Sequence, residues 1–192
     1  MNKLFGVVTL VSIFVLVSCN KRENELKEIY AASVEMDSVL RTNEVLSVKQ
    51  RVMAEDLVQE YMEFANNYPE DSLAPQFIFK SAMLFHFIPF YDKELEALEM
   101  LAERYPESDY APQALVTAAR VSEENLNNID KSIQYLQQLK DKYPESPYAT
   151  NIDLQMEYAG DDEALLDAIM EKNGIDLDSL LEAADSVDAM KK

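Results

Sequence analysis

The chain has 192 residues and a formal net charge of −19, from 36 acidic and 17 basic residues. A surface this acidic repels phosphate backbones and anionic headgroups, which argues against nucleic-acid partners and against direct adsorption to anionic membranes. A hydrophobic content of 48% with only three glycines indicates a packed, helix-rich chain of one domain plus a leader.

Residues 1–18 have the composition of a secretory signal peptide. Lys3 precedes an apolar run from Leu4 to Val17, which is too short for a comfortable transmembrane helix. Cys19 follows as the single cysteine of the chain, so no intramolecular disulfide can form. The alternative to a special role for Cys19 is an ordinary signal peptide that happens to end near a cysteine.

The sequence Leu16-Val17-Ser18-Cys19 resembles the bacterial lipobox. That resemblance implies cleavage before Cys19 and acylation of its sulfur and its new amine, by palmitate or similar chains. Several acyl chains hold a protein stably on a bilayer, whereas one does not. Asn20 stands where an Asp commonly retains such lipoproteins at the inner membrane, which implies the outer membrane, facing the periplasm or, in some lineages, the cell surface. Residues 19–24 would then be the lipidated cysteine and a short tether.

One turn recurs three times, beginning at Tyr68, Tyr105 and Tyr143, with spacings of 37 and 38 residues. An apolar series precedes each tyrosine with steps of 3, 3 and 4 residues, which is one face of an α-helix. The proline after each tyrosine disfavours helical geometry there, so the helix ends. This period predicts an array of helical hairpins. The three series are Val58, Tyr61, Phe64, Tyr68; Leu95, Leu98, Leu101, Tyr105; and Ile133, Leu136, Leu139, Tyr143.

The predicted fold is all-α: antiparallel helical hairpins stacked as an α-solenoid over residues 25–175. Asp71 or Ser72, Ser108 and Ser146 are expected to cap the helices that follow the turns, and Asn127-Asn128 to end a helix in left-handed geometry. An amphipathic helix from Asp176 would form an acidic C-terminal cap over 176–192. The predicted helices span about 23–40, 44–67 (with Val45, Val48, Val52 and the first apolar series), 73–88, 92–104, 109–126, 129–142, 147–159, 161–172 and 176–190.

The segment 73–88 is apolar nearly all round, so we expect a helix buried on more than one side. Two interpretations remain open. The helix is packed between its neighbours, or part of it, including Phe79 and Phe87, lines an apolar groove for a partner segment.

The three turn sequences, Tyr-Pro-Glu followed by Ser or Asp and then Ala-Pro-Gln in two copies, resemble tetratricopeptide repeats over about residues 44–172. More narrowly, they resemble envelope lipoproteins of the barrel-assembly component D type and of the Tol-Pal coordinator type. The resemblance implies helix pairs whose concave face binds protein segments. One departure is at the position twelve residues before the closing proline, where the family has a small residue. Ser132 fits this pattern, but Glu94 and Leu57 do not.

No pattern for catalysis is present. His86, the single histidine, lies in the apolar segment and has neither a second histidine nor an available cysteine, so we expect a packed, hydrogen-bonded core residue rather than a base or zinc ligand. The acidic pair Asp161-Asp162 follows Gly160 at a predicted helix start, where carboxylates are favoured. We therefore expect no enzyme activity, no metal, no cofactor beyond a covalent lipid, and no small-molecule substrate.

The sequence favours a lipid-anchored scaffold for protein partners of the cell envelope. Phe79, Phe87, Lys80 and Arg120 are the candidate contacts for a partner segment. The alternative is a structural or regulatory envelope lipoprotein that self-associates through its terminal helices and has no dedicated peptide groove.

Overall fold

The computed structural model describes the backbone of residues 2–42 and 45–175, with side chains from residue 21 onward. Over these residues the regular secondary structure is helical, and successive helices pack against their neighbours, which confirms the all-α helical-repeat class. The α-helices are α1 (Asn2–Thr42), α2 (Val48–Asn67), α3 (Ala74–Phe87), α4 (Tyr91–Arg104), α5 (Tyr110–Arg120), α6 (Ile129–Lys142), α7 (Ile152–Glu157) and α8 (Asp162–Lys172).

The described residues form two compact units, which divide after Leu101. Helices α1, α2 and α3 belong to the first unit, and α5 to α8 belong to the second. The predicted capping helix at 176–192 lies outside the described residues. The side chains of the predicted signal peptide, and that of Cys19 with its predicted lipid, also lie outside the described part of the chain. Across the described residues, no helix is both long enough and apolar enough to cross a membrane.

The three apolar series form the core, as their spacing predicts. Eight of their nine residues before the closing tyrosines are at most 6% exposed, and Ile133 is half-buried. The closing tyrosines are themselves half-buried. The position twelve residues before each closing proline is buried in every copy, whether it holds Leu57, Glu94 or Ser132. The family's small-residue position is therefore an interior position here even where the residue is large or acidic.

The recurring turn has the same hydrogen bonds in all three copies. In each copy, the N–H of the third residue after the tyrosine donates to the tyrosine carbonyl at 3.0 Å. The carbonyl of this third residue in turn accepts the N–H of the sixth residue after the tyrosine. The side chain of the third residue after the tyrosine accepts the N–H of the residue two positions later. This is an Asx or ST turn, which Asp and Ser side chains favour. The expectation of N-caps is therefore wrong for α3 and α5, whose caps are Leu73 and Asp109 without a side-chain bond. The turn-forming residues are Asp71, Ser108 and Ser146.

Phe77 is the centre of the first unit's core. Its ring stacks on Tyr61 with centroids 4.9 Å apart and meets Phe64 edge-on at 5.0 Å. α3 buries Ala74, Phe77, Ile78, Ala82 and Leu84, so the interpretation of a helix packed between neighbours holds for most of its length.

Helix α2 begins four residues later than expected, at a capping box in which Ser47 and Gln50 satisfy each other's backbone N–H groups. Val45, Val48 and Val52, which the sequence places in this helix with the first apolar series, are 76%, 80% and 52% exposed. Val45 precedes α2, and Val48 and Val52 lie on the opposite side of the helix from its buried residues.

Arg22, within the segment expected to be a tether, lies in helix α1. Its Nε donates to Asp71 Oδ2, and its guanidinium carbon lies 6.0 Å from the ring centroid of Phe64. The hydrogen bond from Arg22 lowers the pKa of Asp71 against the opposing effect of burial. α1 thus contacts the first recurring turn immediately after the predicted anchor position.

In the second unit, α5 buries a face of small residues: Ala111, Ala114, Ala118 and Ala119 are at most 3% exposed. A π-helical turn over Val121–Asn125 follows α5, where the sequence predicts ordinary helix. Asn127 adopts φ 51, which confirms left-handed geometry at the end of this segment.

The π-helical turn places Glu123 at a junction. Ser132 Oγ, in α6, donates to Glu123 Oε2 at 3.0 Å, and the Gly160 N–H donates to Glu123 Oε1. Gly160 has φ +87, a conformation that favours glycine, and a Cβ there would crowd Ile129 Cδ1 at 3.0 Å. One carboxylate therefore connects three segments of the second unit.

The expected single helix at 147–159 is wrong. A 3₁₀ turn over Pro147–Ala149 is followed by Asn151 at φ 60 and by the short helix α7. Pro75 and Pro112 occupy the first turns of α3 and α5, where a fixed φ favours helix, but the third copy has Thr150 at that position, with extended ψ 128. The predicted helix start at Asp161-Asp162 is confirmed, because Asp161 Oδ1 accepts the N–H of Ala164.

Candidate functional site

A small cleft opens in the first unit where α1, α2 and α3 meet, and it brings two predicted contact residues together. Its volume is about 90 Å³. Lys80 and Phe87 lie on its wall, seven residues apart on α3 and hence on one face of the helix. The other lining residues are Met36, Asp37, Leu40, Leu57, Tyr61, Met83 and Leu84.

The floor of the cleft is buried and mainly apolar. Met36, Leu57, Tyr61 and Leu84 are at most 5% exposed. Ser33 Oγ donates to the carbonyl of Ile29 at 2.7 Å, so the 2.6 Å contact with Tyr61 is a hydrogen bond from the tyrosine hydroxyl to Ser33 Oγ. Burial raises the pKa of Tyr61, with the Ser33 bond opposing it, so the ring stays neutral and fixed.

The rim of the cleft combines an exposed ring with two charges of opposite sign. Phe87 is 44% exposed, and Lys80 Nζ lies 5.8 Å from the ring centroid of Tyr61. Asp37 is exposed on α1. The cavity is far below the ~300–1,000 Å³ of small-molecule pockets. It is the size for one apolar side chain of a partner, whose polar neighbours could meet Lys80 and Asp37.

The other two predicted contact residues lie elsewhere. Phe79 is half-buried on α3 and does not line the cleft. Arg120 is in the second unit, exposed, and pairs with Glu124 at 3.2 Å one helical turn away. Met36, Asp37 and Leu40 also line the cleft but are not among the contact residues predicted from the sequence. The spacing of apolar residues along the first helix does not indicate which of them face α3.

His86 is hydrogen-bonded as predicted, but it is not a core residue. Its Nδ1 lies 3.0 Å from Oε2 of Glu94, and its side chain is 34% exposed while that of Glu94 is fully buried. The ring also meets Tyr91 edge-on, with centroids 5.7 Å apart. In the described part of the chain, no group of three His, Cys, Asp or Glu side chains is arranged to hold a metal ion. The His86–Glu94 contact thus joins α3 to α4, and His86 gives the buried carboxylate of Glu94 a hydrogen-bond partner.

The tetratricopeptide-repeat family profile matches residues 113–146. This stretch covers most of α5, the π-helical turn, α6 and the start of the third recurring turn. The chain therefore contains a tetratricopeptide repeat, a module that generally mediates protein–protein interactions and is generally not enzymatic. No curated protein matches the chain.

Proposed function

We propose that this protein is a lipid-anchored scaffold that holds a segment of another cell-envelope protein at the outer membrane, on its periplasmic face. The tetratricopeptide repeat at 113–146 is the observation that carries the scaffold assignment. The lipobox-like residues Leu16 to Cys19 support the anchor and its location. An anchor raises the effective concentration of the scaffold next to partners in the same membrane.

The three-helix cleft supports capture of a helical or extended segment through one apolar side chain. Phe87 exposes an aromatic ring beside a floor of buried side chains, which is the arrangement of an interface anchor point. Lys80 and Asp37 would orient the segment through charged hydrogen bonds at the rim. By resemblance to the barrel-assembly and Tol-Pal types, the partner would belong to an outer-membrane assembly or envelope-organising complex.

The test combines crosslinking in intact envelopes with two matched variants. Phe87→Asp places a charge at the cleft, and Phe90→Asp places the same charge on a ring of similar exposure, 41%, outside the cleft. We expect one or two outer-membrane proteins to crosslink to the wild type and to Phe90→Asp but not to Phe87→Asp. Equal recovery by both variants, with helical circular dichroism preserved, would remove the cleft from the proposal.

The anchor has its own measurement. Labelled palmitate should be incorporated into the wild type but not into Cys19→Ala, and the variant should leave the membrane fraction. Retention of Cys19→Ala on membranes at the wild-type level would contradict the lipid anchor while leaving the scaffold role open.

Self-association is the second candidate, and the exposed apolar side chains of the first hairpin favour it. Val34, Val45 and Val48 are 70%, 76% and 80% exposed. Such side chains on a terminal hairpin can pair with a second copy. Self-association through the terminal helices predicts a mass that rises with concentration in light scattering and falls to the monomer value on deletion of 176–192 or on Val48→Lys with Val34→Lys.

A further inference from the structure

The second unit carries a groove that is separate from the cleft and has different chemistry. It has a volume of about 710 Å³ and lies between the recurring turns that begin at Tyr105 and Tyr143. Its walls are tyrosine rings and proline rings. The lining rings are Tyr110, Tyr143, Tyr148, Pro112, Pro144 and Pro147.

One of these tyrosines is held in place by a hydrogen bond to the preceding turn. The hydroxyl of Tyr143 donates to the carbonyl of Pro106 at 2.8 Å, one repeat earlier, which fixes the position of its ring. Burial, with the nearby Glu107, raises the pKa of Tyr143, so the hydroxyl remains a donor. Tyr148 is 37% exposed and follows Pro147 in a short 3₁₀ turn.

The rim of the groove carries more negative than positive charge. Asp109 and Glu145 are exposed at its edges, and Lys142 is the one cation among its lining residues. The whole chain has a net charge of −19. A basic segment is therefore attracted to this rim, whereas an acidic segment is repelled.

We propose that this groove binds an extended, proline-containing segment of a partner protein that carries a basic residue beside its prolines. Tyrosine-lined grooves accept polyproline II helices because flat aromatic rings pack on pyrrolidine rings. Since the Tyr143 hydroxyl already donates to the Pro106 carbonyl, the ring faces that line this groove would provide the contact. Such a segment is already extended before it binds, so little conformational entropy is lost. Asp109 or Glu145 would pair with its Lys or Arg.

The surface does not depend on the proposed capture of a segment in the three-helix cleft. The groove lies in residues 109–148 and the cleft in residues 36–87, so the two surfaces can be tested with separate variants. Two peptide-binding surfaces on one chain would allow the protein to connect two partners.

The test is a fluorescence-anisotropy titration of the full chain, in detergent, with a fluorescein-labelled peptide Arg-Pro-Ala-Pro-Pro-Ala-Pro-Pro. We expect Tyr148→Ala to weaken binding about tenfold or more, as for a central aromatic contact. Tyr30→Ala, which removes a ring of similar exposure (47%) in the first unit, should leave the affinity unchanged. A peptide with alanine in place of every proline should not bind.

A second variant, Glu145→Lys, tests the charge of the rim and does not depend on whether Tyr148→Ala alters the turn. Glu145→Lys should weaken binding of the arginine peptide, strengthen binding of a version with Glu in place of Arg, and reduce the salt dependence. The proposal is overturned if the wild type does not bind at millimolar peptide, if the alanine peptide binds equally, or if Tyr148→Ala and Glu145→Lys both bind like the wild type. A dimer in sedimentation that Tyr148→Ala dissociates would instead assign the groove to a second copy. If Phe87→Asp loses its envelope crosslinks but still binds the peptide, the crosslinks depend on the cleft and the groove is unaffected.

Discussion

Replacing Phe77 by alanine should destabilise the first unit more than any exposed aromatic replacement can. The Phe77 side chain is 1% exposed and packs on Tyr61 and Phe64, so its loss removes both the transfer free energy and the ring contacts. Buried Phe→Ala changes cost about 3–5 kcal/mol. The tight ring cluster limits collapse around the gap, so we expect a loss of about 4 kcal/mol, in the middle of that range and not at its lower end.

The measurement is urea unfolding followed by circular dichroism at the helical band, since the chain has no tryptophan for fluorescence. Phe87→Ala is the matched control: it removes the same ring from the same helix at a site that is 44% exposed, and it should cost less than about 1 kcal/mol. Phe77→Leu should recover most of the loss. A free-energy change for Phe77→Ala equal to that of Phe87→Ala would refute this account of the core.

Three further predictions concern buried or partly buried carboxylates. Glu60→Gln should raise stability by about 1 kcal/mol at neutral pH, because the charged carboxylate is unfavourable at this position. Burial, and then the carboxylates of Glu28, Asp56 and Glu63, raise the pKa of Glu60. Its Oε2 is also buried without a hydrogen-bond partner among the described residues. Asp71→Asn should lower stability by about 1 kcal/mol at neutral pH by removing the charged bond to Arg22. Glu123→Ala should cost about 2 kcal/mol, because it leaves the buried Ser132 hydroxyl without its acceptor. All three are measured by urea unfolding against pH.

The two pKa shifts act in opposite directions with pH. The raised pKa of Glu60 means that the folded state binds the proton more tightly, so the gain from Glu60→Gln disappears as the pH falls through that pKa toward the unfolded value. The lowered pKa of Asp71 means that its contribution is present above the unfolded pKa and is lost as the pH falls through the folded pKa. A pH-independent effect in either variant would contradict the assignment. Glu55→Gln, Glu70→Gln and Glu124→Ala are the exposed controls, and each should change stability by less than about 0.5 kcal/mol.

Spacing predicts most of this fold because the core repeats with a fixed period. The 3, 3, 4 steps ending at each Tyr-Pro require one helix face to be buried, and that face is buried in all three copies. The start of the helix was predictable where Ala-Pro follows the turn, at Ala74 and Ala111. It was not predictable where Thr150 replaces that proline, since a helix start then depends on contacts made later in the chain.

The residues of the two candidate surfaces were only partly predictable. Apolar period alone does not separate Phe77, which is 1% exposed, from Phe87, which is 44% exposed, because α3 is apolar on nearly every side. The burial of Glu94 depends on a partner, His86, on the neighbouring helix. The π-helical turn that places Glu123 has no period that distinguishes it from ordinary helix. Each of these depends on which neighbour is present, and that information is absent from a local pattern.

The contact of Arg22 with Asp71 and Phe64 has a geometric consequence for the proposed anchor. Cys19 precedes Arg22 by three residues in the same helix, a rise of about 4.5 Å. If the acyl chains are attached at Cys19, the first recurring turn is held at a short, fixed height above the bilayer instead of moving on a flexible linker. The first unit would then meet its partners in a restricted orientation relative to the membrane.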